Sequence, residues 1–192
     1  MPSKRGRSPA LRAVLASTVA LAAWVPAARA ASPVVPFVIS GGLGPSGVRR
    51  TEGLGTEYAY GGSGCMHFGY DVTPELTPWV GIDGARWEPK DASRGLWQAS
   101  AMGGVRRSFM AGTARPWLEA AIGYGRFKND SINVQTGLRL QVAVGADWAA
   151  GAFGRVGFYL GADYTRPSDG TGYPYKWAGA GVTFAVHALD VH

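Results

Sequence analysis

Seven charged residues of this 192-residue chain sit inside segments that are otherwise apolar and glycine-rich: Asp83, Arg106, Glu119, Arg139, Asp147, Arg155 and Asp163. Each is flanked on at least one side by an apolar residue, so an extended chain carries the charge on one face and the apolar side chain on the other. Four carboxylates against three guanidinium groups is close to balance. Enclosed together, they form an ion-pair network; lining an open passage, they form an ion-selective constriction. Other chemistry is poorly provided for. The histidines are His67, His187 and His192, the one cysteine is Cys65, and no Gly-x-Ser-x-Gly elbow or His-x-Ser arrangement is present. No His/Asp/Glu cluster has metal-ligand spacing along the chain. The expectation is therefore no catalytic residue, no metal and no cofactor, with Cys65 a free thiol on the polar face. Arg49-Arg50, in a segment rich in Gly, Ser and Thr, is a candidate contact for phosphate groups.

The elements that must position these charges follow from a period of two. Over 134–148 the even positions are Val134, Thr136, Leu138, Leu140, Val142, Val144, Ala146 and Trp148, while the odd ones include Arg139, Gln141 and Asp147. Over 155–166 the split is Val156, Phe158, Leu160, Ala162 and Tyr164 against Arg155, Gly157, Tyr159, Gly161 and Asp163. Eight strands are predicted, at about 36–44, 57–71, 76–88, 96–110, 115–128, 134–148, 154–166 and 174–188. Each approaches or exceeds the roughly 9–11 residues with which a tilted strand crosses a bilayer. Segments 72–75, 111–114 and 149–153 read as short turns; 45–56, 89–95 and 167–173 read as longer loops, with a short polar link at 129–133.

Two closed arrangements fit, a membrane barrel with the apolar face outward and a soluble barrel with it inward. The glycines favour the first. Gly123, Gly125, Gly137, Gly145, Gly157, Gly161, Gly179 and Gly181 share the charged face. A narrow interior needs small residues beside a few large ones, and a solvated surface has no such need. The fold expected is all-β, an eight-stranded antiparallel up-and-down transmembrane barrel with an even strand count. Tyr58, Tyr70, Trp87, Trp97, Trp148, Tyr164 and Tyr173, near strand ends, are expected to form interfacial girdles. Trp79, Trp117 and Trp177 are expected inside.

The formal charge of +6 suggests nucleic acid only until it is located. Lys4, Arg5, Arg7 and Arg12 precede a short apolar stretch that ends at Ala28-Arg29-Ala30, the pattern of a secretory leader cleaved after Ala30. Removal of residues 1–30 takes away five of the 19 basic residues and no acidic one, leaving 14 against 13 in the domain 31–192. No nucleic-acid partner is expected.

Phe68-Gly69-Tyr70-Asp71-Val72-Thr73-Pro74-Glu75-Leu76, Arg115-Pro116-Trp117-Leu118 with Gly123-Tyr124-Gly125, Val144-Gly145-Ala146-Asp147-Trp148 and Gly161-Ala162-Asp163-Tyr164-Thr165 carry a resemblance. Through them the chain resembles, over 31–190, the outer membrane protein beta-barrel family of small eight-stranded barrels. The resemblance implies residence in a bacterial outer membrane, contact with its lipid and lipopolysaccharide, and insertion by the barrel assembly machinery. It implies a structural or surface-interaction role with a side-chain-filled polar lumen. A narrow pore for small solutes is the alternative, and a lipid A-modifying enzyme the third reading. Such barrels end on an aromatic residue that the assembly machinery reads; here Phe184 is followed by a tail ending at His192.

Overall fold

The computed structural model describes residues 37–52, 55–89, 95–109, 113–129, 134–150, 154–168 and 174–187. The expected leader, Tyr173 and the tail beyond His187 lie outside them, as do the side chains of Arg50 and Tyr58. Eight strands follow one another: β1 (Phe37–Glu52), β2 (Gly55–Tyr70), β3 (Leu76–Pro89), β4 (Leu96–Ser108), β5 (Ala114–Asn129), β6 (Val134–Ala150), β7 (Gly154–Pro167) and β8 (Tyr175–His187). Each pairs antiparallel with the next, and β1 closes on β8 with Val38 opposite His187 and Val48 opposite Trp177. Closure leaves no edge strand, so the backbone of every strand is paired on both sides.

The period of two settles the orientation of the wall. Val80 and Ile82 are 65% and 64% exposed on the outside, while Asp83 between Ile82 and Gly84 is 7% exposed inside. Ile122, Val142, Phe158, Leu160 and Val182 extend the outer apolar surface. Arg139, Thr165, Gln98 and Glu119 are among the buried polar residues that face inward. The barrel is apolar outside and polar inside, so the inverted soluble arrangement does not apply.

One expected loop is a strand. Residues 45–52 continue β1, and Glu52 pairs with Gly55 across a hairpin in which only residues 53 and 54 intervene. Pro45, which opens the expected loop, and Gly44, which ends the expected strand, both suit this wall. The carbonyl of Ala180 and the Cα of Gly181 occupy the space where a side chain at Gly44 would go. Pro45 has no N–H to give, and the β1–β8 ladder omits Gly44 and Pro45, resuming in the same register at Ser46 opposite Gly179. The even-numbered inward face then runs on through buried Ser46 and Val48. At the other end, the tight turn between β2 and β3 closes where Thr73 pairs with Leu76, Leu76 donating to the Thr73 carbonyl at 3.1 Å.

Inward glycines make room for inward aromatics. Gly104 lies opposite Trp79, Gly145 opposite Trp117 and Gly181 opposite Tyr159 in the register. A Cβ on Gly104 would stand 2.8 Å from Trp79 Cζ2 and 2.7 Å from the Ala120 carbonyl, too close for either atom to remain in place. The outward Gly84 differs, its nearest prospective neighbour being the Gln98 carbonyl at 3.7 Å. Urea unfolding of the detergent-refolded barrel, followed by the gel-mobility shift on heating, is expected to separate the two. Gly104→Ala should cost about 1–3 kcal/mol through overpacking, and Gly84→Ala should stay within about 0.5 kcal/mol of the parent.

Candidate functional site: a filled lumen and two unlike ends

Register brings charges from β3, β6 and β7 together at mid-height. Arg139 of β6, with no exposed surface, directs Nε to Asp163 Oδ1 at 2.5 Å and Nη2 to Asp83 Oδ2 at 3.0 Å. With its amide oxygen turned toward the arginine, Gln98 of β4 accepts from Arg139 Nη1 at 3.1 Å and from Nε at 3.2 Å. The guanidinium lies 5.0 Å from the centroid of the Trp177 ring. Asp83 turns its other oxygen, Oδ1, to His67 Nε2 at 3.0 Å, and the imidazole stacks on Trp79 with centroids 3.6 Å apart.

A second group lies nearer the short turns. Arg106 donates from Nε and Nη2 to Glu119 Oε2, both at 2.9 Å, and lies 4.1 Å from the centroid of Trp117. Its Nη1 is 4.0 Å from Asp147 Oδ2, while Asp147 Oδ1 accepts from the Thr183 hydroxyl at 2.8 Å. Arg155 donates to the Asp147 backbone carbonyl at 3.3 Å. All seven sequence-selected charges therefore face inward, five of them buried and the two arginines Arg106 and Arg155 partly so. Beneath them Asp71 accepts from Thr77 and lies 3.5 Å from His187 Nδ1, and Arg115 donates to the Pro74 carbonyl. These turn-end groups, and Gln98, were not singled out from the sequence, although Thr77, Arg115 and Gln98 share the inward parity of their strands. The space left among Asp71, Thr77, Arg106, Arg115, Asp147 and Arg155 is about 30 Å³, room for no more than a few water molecules.

The loop end is closed differently. Val48, Ala59, Trp87, Leu96, Phe127, Tyr175 and Trp177 form one buried apolar cluster. Phe127 and Tyr175 stack within 2° of parallel, and Trp87 meets Trp177 with centroids 5.9 Å apart. The girdle expectation for Trp87 is thus corrected: it has no exposed surface and donates from Nε1 to Ser46 Oγ at 3.0 Å. Its odd parity in β3 is that of Asp83 and Trp79, which fixes its direction more firmly than its nearness to the strand end. Of the other candidates, Tyr70 and Trp148 face outward near the turn end, and Trp97 and Tyr164 near the loop end. Trp148 packs on Phe158 at 5.3 Å, and Tyr60, Phe68 and Tyr124 add exposed rings.

Outward cations gather at the loop end. Arg49, Arg86, Arg126, Arg166 and Lys176 are exposed there on five different strands. Arg86 lies 3.5 Å from Glu88, with both side chains about three-quarters exposed, so that pair adds little stability. Sequence alone named Arg49 of this belt and missed the rest, whose signal is outward parity near a loop.

The barrel also groups three ligand-type side chains that are dispersed in sequence: Cys65, His67 and Asp83 place sulfur, nitrogen and oxygen within 4.8 Å of one another. Spacing along the chain does not reveal this grouping, because Asp83 reaches the pair through its position opposite Cys65 in the β2–β3 register.

The sequence matches no protein-family model. It matches no curated protein. Among solved structures, the chain is similar to Neisserial surface protein A, with a TM-score of 0.60 and 18% identity over 78% of this chain and 96% of that one. It is also similar to the attachment invasion locus protein of Yersinia pestis, with a TM-score of 0.51 and 12% identity over 79% of this chain and 99% of that one. The fold is that of the small outer-membrane barrels.

Arg139→Met is expected to leave Asp83 and Asp163 buried beside each other without their shared cation. The loss should be about 3–5 kcal/mol in urea unfolding of the refolded barrel. Adding Asp163→Asn should restore part of it, a coupling that additive effects would not produce.

Proposed function

We propose that this protein is an exported structural or surface-interaction barrel of a bacterial outer membrane, anchored through lipopolysaccharide and closed to solute flow. On this reading residues 1–30 serve as a cleaved leader, the barrel assembly machinery inserts the chain, and the loop end faces outward from the cell. The observation that carries the reading is the filled lumen. An ion-paired layer centred on Arg139 spans the middle, and the Trp87–Phe127–Tyr175–Trp177 cluster closes the loop end. An eight-stranded barrel has an interior about as wide as its own side chains.

A pore would need a continuous wet path past both layers, and the ion pairs that line this lumen bind one another. A lipid-modifying enzyme would need its nucleophile and base on the lipid face or in the loops. The two described pairings of imidazole and carboxylate, His67 with Asp83 and His187 with Asp71, face the interior instead. Phosphate recognition fits the exterior. The loop-end belt of Arg49, Arg86, Arg126, Arg166 and Lys176 lies at the depth of outer-leaflet headgroups, next to outward Trp97, Tyr124 and Tyr164.

Two measurements test this function. In planar bilayers the purified barrel should give no steady single-channel current; sizeable, long-lived unitary steps would establish a pore. Replacing Arg49, Arg86, Arg126 and Arg166 together by Gln should weaken lipopolysaccharide binding by about tenfold or more at low salt, if each exposed contact contributes about 0.5 kcal/mol. The difference should shrink as salt screens the charges. Equal affinity of the two proteins would remove the belt from the function.

A further inference from the structure

We propose that Cys65, His67 and Asp83 form a binding site for a zinc-class divalent metal ion inside the barrel wall. The three ligand atoms lie within 4.8 Å of one another, close enough for one ion to touch all three. Thiolate, imidazole and carboxylate are together the donor set of a borderline-soft ion, and three protein ligands leave a fourth tetrahedral position for water.

The local structure builds the site. Cys65 and His67 are two residues apart on β2 and so share its inward face. Asp83 is directly opposite Cys65 on β3, and a single tight turn links the two strands. The trio therefore assembles when one hairpin forms, which gives an ion a route into a lumen that later closes at both ends.

The surroundings hold the ligands in place, as outer partners do at metal sites. Trp79 stacks on the His67 ring at 3.6 Å and fixes its plane. Arg139 takes Asp83 Oδ2 at 3.0 Å and leaves Oδ1 directed at His67 Nε2. Gly42 keeps the wall beside the thiol bare: a Cβ there would lie 3.5 Å from Cys65 Sγ and 3.2 Å from Tyr159 Cε1. On binding to the imidazolium form of His67, the ion replaces the Nε2 proton directed at Asp83, Nδ1 keeping its own, and the proton of the Cys65 thiol, both released to solvent. Thiolate and carboxylate then balance the two positive charges, while Arg139 retains Asp163.

The test is to refold the full-length protein in detergent with Co²⁺ present, remove free metal, and record its absorption spectrum. Folding is followed in parallel by the mobility shift on heating. The expected result is a thiolate-to-cobalt charge-transfer band with tetrahedral ligand-field bands, saturating at a single equivalent and displaced by Zn²⁺. Cys65→Ser should still fold and should lose the charge-transfer band. Asp83→Asn should weaken the apparent affinity by at least about tenfold. In the parent protein, Zn²⁺ present during refolding should also slow alkylation of Cys65 by a small maleimide, and this protection should be missing in His67→Gln. A folded parent barrel without the band overturns the proposal, as does a ligand-field spectrum unchanged by Cys65→Ser.

Discussion

A guanidinium group with no exposed surface has to be neutralised where it stands, and Arg139 imposes that condition on the rest of this lumen. Desolvating a charge costs several kcal/mol unless its partners are well placed. Two carboxylates from β3 and β7, an amide from β4 and an indole face from β8 meet it from strands that are remote in sequence. A slip of one residue in any of these strands would turn its partner to the lipid side and leave the arginine short. The same contacts that neutralise Arg139 therefore specify the register of half the barrel. Arg106 does the corresponding work nearer the turns, tying β4 to β5 through Glu119 and lying within 4.0 Å of Asp147 on β6.

The inward tryptophans take part in this electrostatic arrangement as well as in packing. Trp79 stacks on His67, Trp117 lies against Arg106 and Trp177 lies against Arg139. Each indole offers a π face to a cation or an imidazole that water would otherwise solvate. A ring that large fits in a narrow lumen only where the wall beside it is bare, and Gly104, Gly145 and Gly179 supply the bare wall. The abundance of glycine on the charged face thus has a steric cause that a solvated sheet would not need. Substituting the glycines and breaking the ion pairs disturb one packing arrangement from two sides.

Parity within a strand is a local property, and it was legible: the alternation over 134–148 and 155–166 gave both the inside–outside assignment and the lumen charges. Chain composition misled where the wall itself required unusual residues. Pro45 and the Ser and Gly that follow it suggested a loop, yet Pro45 sits where the β1–β8 ladder omits a bond. Trp87 was assigned by its nearness to a strand end, when its parity with Asp83 already placed it inside. The Cys65–His67–Asp83 grouping could not be read from spacing along the chain. It exists because β2 and β3 pair with Cys65 opposite Asp83, and register is set by the whole closed sheet.

The two ends of the barrel solve the problem of closure with opposite chemistry, and that asymmetry bears on how the chain sits in a bilayer. At the turn end the lumen finishes in ionisable groups around about 30 Å³ of space, a region compatible with an aqueous compartment. At the loop end it finishes in stacked aromatic rings, while the outer surface at that height carries the exposed cations. Cations outside an apolar plug cannot serve the lumen, because the wall separates them from Asp83 and Asp163. Among the described residues Glu88 stands beside one of them, Arg86, and on the proposed function the phosphate-rich headgroups of the surrounding leaflet are counter-charges for the belt. The interior charges hold the barrel together, and on the proposed function the exterior charges orient it.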